Sequence, residues 1–275
     1  MIKILVPTDF SVTADNAFQF AVNLAKSENG EIILYHVFTS LENPFIDSEE
    51  NRDEYNSRTR AELQVQLEKL KQKFSSDSSV KITTVLGSPP ITASILDYAS
   101  QNNCDIIIMG TQGASGLQRV LVGSEAGHII DDTSMPVLLI PENFSGEMPQ
   151  KIVFATTCNV EDKSALATAI KLTANFNTQM TIVHICDENN DEDHQGLQAY
   201  ESVIETADKD VNIDFQHIAT SYVTETMEKL DDLIPYDLVI MVKRRKSLFA
   251  KIFSESLSRE MAYLIEHPLL IIPEK

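Results

Sequence analysis

Short runs of apolar residues alternate along this chain with longer stretches in which apolar positions recur every three or four residues. The runs Ile106-Ile107-Ile108 and Leu238-Val239-Ile240 carry no polar alternation, the pattern of strands covered by helices on both faces. Between such runs, Ala14, Ala17, Phe18, Ala21, Val22 and Ala25 line up on one face of a helix, with Gly30 just past its end. The pattern predicts, in the first half, strand 2–6, helix 12–27, strand 31–37, helix 57–74 and strand 80–86, then helix 90–102, strand 105–109, helix 124–133 and strand 137–140. Strands and helices alternating in this way form βα units on a parallel sheet, so the expected fold class is α/β.

The second half repeats the first. Lys3-Ile4-Leu5-Val6 matches Lys151-Ile152-Val153-Phe154 at an offset of 148, and the same offset brings His36 onto His184. Further on, Asp105 to Met109 matches Asp237 to Met241 at an offset of 132, which carries Pro136 onto Pro268 and Pro141 onto Pro273. The offsets differ by 16, so the second copy lacks 16 residues, which we place in the acidic, structureless-looking stretch Leu41 to Asn56 of the first. Gly146 and Pro149 interrupt any periodic pattern between Asn143 and Gln150. The expected domains are 1–146 and 147–275, each a five-stranded parallel-sheet sandwich.

Composition narrows the function classes. With 41 acidic against 22 basic residues, the net charge of -19 argues against nucleic acid and anionic membrane surfaces as partners. A hydrophobic content of 43% suffices for two buried cores. Cys104, Cys158 and Cys186 form no CxxC pair, which fits neither a disulfide framework nor a zinc cluster and leads us to expect a reducing, cytoplasmic setting. The apolar run before Pro7 is too short for a secretory signal, and no stretch is long and apolar enough to span a membrane.

The glycines point to a ligand. Of 9 in the chain, Gly110, Gly113, Gly116, Gly123 and Gly127 all fall within 18 residues that run from the end of the fourth predicted strand into the next helix. Glycine is favoured where backbone takes positive φ or approaches a ligand with no Cβ in the way. Free amides at a helix start beginning with Gly123-Ser124-Glu125 make an anion site, most often for phosphate. A flexible glycine-rich turn is the alternative that spacing alone leaves open. No lysine precedes Ser124, as a Walker A motif requires, Gly110 to Gly116 read GxxGxxG rather than GxGxxG, and Leu117 stands where a nucleophile elbow needs glycine.

The spacing Gly110-x2-Gly113-x9-Gly123-Ser124, with the opening Val6-Pro7-Thr8-Asp9 and the closing Pro136 to Pro141, resembles the ATP-binding branch of the universal stress proteins over two tandem domains. That resemblance implies a Rossmann-like (adenine nucleotide alpha hydrolase-like) sheet of order 3-2-1-4-5 in each copy, with strands 1 and 4 flanking the ligand crevice. It assigns Pro7, Thr8, Asp9 and Val37 to the adenosine end, Met109, Gly110 and Gly113 to the ribose and phosphates, and Gly123, Ser124 and Glu125 to the distal phosphates. Mg²⁺ would accompany the ATP. For Asp9, a cap at the start of the helix is an equal alternative, and Arg119 is either a phosphate partner or solvated. The family also implies an intramolecular pseudo-dimer through the last strand of each copy, with a further homodimer and an unidentified protein partner left open.

In the second copy Val242, Arg245 and Glu255 stand where the first has Gly110, Gly113 and Gly123, and Thr157 where it has Asp9; only Ser256 survives. ATP binding should be lost there. His36 and His184 read as hydrogen-bonded structural residues, and His128 with Asp131 and Asp132 as a solvated face. Asp187 to His194 lacks the glycine and closing glutamate of a calcium loop, and Lys243 to Lys246 either bind an acidic partner or are solvated. The expected function is a nucleotide-dependent stress-response regulator or sensor with no catalytic residues assigned; a slow ATPase and a scaffold working through protein partners are the alternatives.

Overall fold

The computed structural model describes residues 1–42, 48–74, 80–111, 124–144, 146–156, 162–174, 178–186, 200–205, 212–220, 226, 229–243 and 267–274. The first half runs β1 (Lys3–Pro7), α1 (Val12–Glu28), β2 (Glu31–Val37), α2 (Glu49–Phe74), β3 (Lys81–Gly87), α3 (Ile91–Gln101), β4 (Ile106–Gly110), α4 (Ser124–Asp132) and β5 (Val137–Ile140). In the second half β6 (Lys151–Thr156), α5 (Lys163–Thr173), β7 (Gln179–Cys186), β8 (Asn212–Ala219), β9 (Leu238–Lys243) and β10 (Leu269–Pro273) are described, with helical residues at 200–205 and one turn at Leu230–Leu233.

The strands lie in the order β3-β2-β1-β4-β5-β10-β9-β6-β7-β8. Pairs within each half are parallel, and β5 meets β10 antiparallel. Leu138 faces Leu270, its own repeat mate, while Leu139 faces Leu269 and Val137 faces Ile271. The repeat therefore acts as a pseudo-two-fold axis through Leu138 and Leu270. The two five-stranded halves join through these last strands into one sheet of ten, each strand supplying the hydrogen-bonding edge the other lacks.

Helices cover both faces, which explains the unbroken apolar strands. On one face Ile4, Val6, Ile32, Ile106 and Leu138 pack beneath α1 and α2, with Ile152, Phe154 and Leu270 beneath α5. On the other, Leu5, Ile33, Ile107, Met109 and Leu139 pack beneath α3 and α4. Local signals repeat with the fold: Asp105 Oδ2 accepts the Lys3 backbone N–H at 2.8 Å, and Asp237 Oδ2 accepts that of Lys151 at 2.8 Å.

Two local expectations are corrected. Half of the stretch Leu41 to Asn56 is helix, because α2 starts at Glu49 rather than near 57. Ser48 Oγ accepts the Asn51 N–H at 3.3 Å, and Glu49 and Glu50 favour the positive end of the helix. That turn is exposed to water, so it carries no apolar stripe to read. At the end of α1 it is Asn29, not Gly30, that turns left-handed (φ 49°), while Gly30 lets β1 come close: a Cβ there would lie 2.8 Å from the Ile2 carbonyl oxygen.

Candidate functional site

β1 and β4 are neighbours whose carboxyl ends open on the same side of the sheet. Pro7 closes β1 opposite Tyr35, and the Thr8 N–H donates to the Tyr35 carbonyl at 2.8 Å. The chain then turns into α1 through side-chain bonds. Thr8 Oγ1 accepts the Phe10 N–H at 3.0 Å, Asp9 Oδ1 accepts the Ser11 N–H at 3.0 Å, and Ser11 Oγ caps the helix by accepting the Ala14 N–H at 3.2 Å. Phe10, between them, takes φ 64°, a left-handed conformation costly for an aromatic residue. His36 holds this lip from β2: its Nδ1 lies 2.7 Å from the Thr8 carbonyl oxygen and its ring 4.7 Å from that of Phe10. Because a carbonyl only accepts, Nδ1 carries the proton. The helix cap is thus Ser11, and Asp9 shapes the turn before it with one carboxylate oxygen while remaining exposed.

On β4, Met109 is buried among Leu5, Ile129 and Leu139 on the α4 side, and Gly110 faces α1. A Cβ on Gly110 would stand 2.8 Å from the backbone carbonyl carbon of Thr13 and equally close to its Cβ and Oγ1. This glycine thus admits the first turn of α1 against the strand end; its positive-φ and ligand-approach readings are not needed to explain it. Gly113 and Gly123, with Gly116 and Arg119, lie outside the described residues. Ser124 opens α4, and a helix start of this kind can turn its first-turn amides to an anion. Glu125 does not present its carboxylate openly: Oε2 accepts the Thr92 hydroxyl proton at 2.8 Å and ties α4 to α3. Val37 ends β2 half-buried beside Gly87 of β3.

Pro7, Thr8, Asp9, Val37, Met109 and Gly110 therefore gather at the carboxyl ends of three adjacent strands. Sequence reasoning missed the Phe10–His36 pair and the Thr13–Gly110 contact. A non-glycine residue forced left-handed leaves no compositional trace; Ser11, three residues before Ala14, was a legible cap signal.

Other candidates resolve differently. His184 is 1% exposed and stacks on His217 with centroids 5.0 Å apart, near Thr156, whose Oγ1 lies 2.7 Å from the Tyr200 hydroxyl. His128 is exposed, as a solvated face requires. Lys243 is not solvated: it is 6% exposed and its Nζ donates to the Asp131 carbonyl at the end of α4, across the two halves. The rest of that basic run lies outside the described residues, as do Thr157, Glu255, Ser256 and Asp187 to His194. Burial pushes the Cys104 thiol up to about 11, against the pull of Lys3, which unfits it as a nucleophile near neutral pH. Among the described residues no group of His, Cys, Asp and Glu is placed to hold a metal, and no helix is long and apolar enough to cross a membrane.

The sequence model of the Universal stress protein family matches residues 1–141 and again 148–273. The chain belongs to the universal stress protein family. Universal stress protein MJ0531 of Methanocaldococcus jannaschii is 32% identical over 140 residues, 50% of this chain and 81% of that protein. Universal stress protein YxiE of Bacillus subtilis is 28% identical over 145 residues, 50% of this chain and 97% of its own. A universal stress protein structure from Archaeoglobus fulgidus DSM 4304 superposes over 99% of this chain and 98% of its own with a TM-score of 0.75 at 17% identity, which supports the tandem fold. The repeat seen in the sequence is thus two family domains in one chain.

Proposed function

We propose that this universal stress protein binds one ATP, with Mg²⁺, in the first-half crevice and acts as a nucleotide-dependent stress-response regulator. The observation that carries the reading is the asymmetry of two otherwise matched halves. In the sequence Gly113 and Gly123 fall between β4 and α4, which Ser124 opens, whereas the second copy has Arg245 and Glu255 at the two glycine positions. An arginine side chain fills the space a phosphate needs, and a glutamate repels it. Since Gly110 answers to helix packing, the phosphate assignment rests on the later glycines and on the amides of α4. Thr8 and Asp9 form the adenosine lip, pre-set by the Phe10 turn and by His36. Glu125, tied to Thr92, contributes through its backbone.

Net charge sharpens the test. At -19 the chain repels a triphosphate at long range, so affinity must come from local amides, the helix start and the divalent ion. Titration calorimetry should rank ATP with Mg²⁺ above ADP and far above adenosine. Chelation should weaken ATP more than ADP, and added monovalent salt should restore part of the loss. Adenosine binding as tightly as ATP, with or without Mg²⁺, would overturn the phosphate assignment.

A further inference from the structure

The pseudo-two-fold axis relates two grooves, one filled by residues of the connection between the halves and one that holds a cavity among the described residues. In the filled groove the connection between the halves runs along α1. Asn16 Nδ2 donates to the Glu142 carbonyl at 2.8 Å, and Asn23 Nδ2, two helical turns on, donates to the Gly146 carbonyl at 3.1 Å. Between them the Phe144 ring sits 5.5 Å from that of Phe20, and Phe144 and Met148 pack against the core. This is a peptide-binding arrangement: two side-chain donors spaced for backbone carbonyls, with an apolar seat between.

The repeat offset of 148 carries Asn16, Phe20, Asn23 and Leu24 onto Ser164, Thr168, Lys171 and Leu172 of α5. These four residues line a cavity of about 690 Å³. Its floor includes Ile272 and Pro273, the mates of Ile140 and Pro141, and its far wall belongs to the first half, with Ile2, Glu28 and Met135. The mates are tight elsewhere along the seam, where Leu24 and Leu172, Ile106 and Leu238, and Leu138 and Leu270 surround one small void in symmetric pairs.

Ser164 and Lys171 keep the spacing of Asn16 and Asn23 and keep a donor at each place. Thr168 replaces the Phe20 ring with a much smaller side chain, and so enlarges the apolar seat above Leu172. On the opposite wall Glu28 lines the cavity, and a carboxylate there can accept a peptide N–H. A small apolar molecule would leave both sets of polar groups unmatched.

We propose that the groove along α5 binds an extended segment of a partner protein that places a large apolar side chain on Thr168 and Leu172 and its backbone carbonyls on Ser164 and Lys171, as Glu142, Phe144 and Gly146 do along α1. The probe is a free fluorescent peptide with the sequence of residues 141–149, titrated into the full chain and followed by anisotropy. Saturable binding of one peptide per chain is expected, weakened about tenfold when the peptide's phenylalanine is replaced by alanine. Thr168→Phe, which refills the seat, should weaken binding to a similar degree without lowering the melting temperature. Lys171→Glu should abolish binding, and Lys171→Gln, which retains a donor, should keep most of it. No saturation at millimolar peptide, or equal binding to the wild type, Thr168→Phe and Lys171→Glu, would overturn the proposal. A change of oligomeric state in Thr168→Phe, seen by sedimentation, would overturn it too, in favour of a self-interface.

Discussion

At the scale of single residues, the glycines divide into two kinds. Gly110 sits where α1 meets the end of β4, and an added Cβ would meet Thr13 backbone at 2.8 Å, which no rotamer change relieves. Gly110→Ala should therefore destabilise the protein by about 1–3 kcal/mol, the range for overpacking at a tight contact. The loss should appear in denaturant melts without nucleotide; an unchanged midpoint would mean that α1 moves aside freely. Gly113 and Gly123 belong to the proposed cradle, and a substitution there should change affinity instead. Composition alone does not separate a glycine facing a helix, as Gly110 does, from one that would face a ligand. The positions at the crevice were legible because family motif and strand ends coincide; the bonds that shape it, from His36 to the Thr8 carbonyl and from Thr92 to Glu125, join residues 28 and 33 apart and have no local signature.

Among the elements, α4 connects the two halves. Its start is the proposed phosphate end, and its last turn is gripped by Lys243 of β9 through the Asp131 carbonyl. A cation at a helix carboxyl end is favourable, and a buried carbonyl stripped of its donor is costly. Lys243→Met should cost about 1–2 kcal/mol of stability, measured by urea unfolding; a stability equal to wild type would show that water replaces the ammonium. Strands and amphipathic helices such as α1 were readable to within about two residues because burial on one or both faces dictates their period. The opening turns of α2 were not readable. Their residues are mostly exposed, and their helicity is supported by Ser48, by acidic residues at the first turn and by Asn56, whose side chain bonds both the N–H and the carbonyl of Leu41 at 2.8 and 3.1 Å.

The whole molecule is one sheet made of two copies, and its properties follow from the seam. Residues 1–146 expressed alone would leave β5 with an open, fully apolar edge, Val137 to Ile140. This fragment should self-associate or precipitate; a monomer at high concentration by sedimentation equilibrium would count against the seam as a stability requirement. The repeat was legible from its two offsets, whereas the pairing of the last strands was implied by the family resemblance alone, because edge pairing is set by what each copy lacks rather than by any local motif. The same doubling frees one copy to change. The central claim is that the first half alone kept a nucleotide site, and titration calorimetry of the full chain with ATP and Mg²⁺ tests it most directly. One site per chain is expected, abolished by Gly113→Arg, which copies the second half into the first. Two equivalent sites, or a single site that survives Gly113→Arg, would contradict the account.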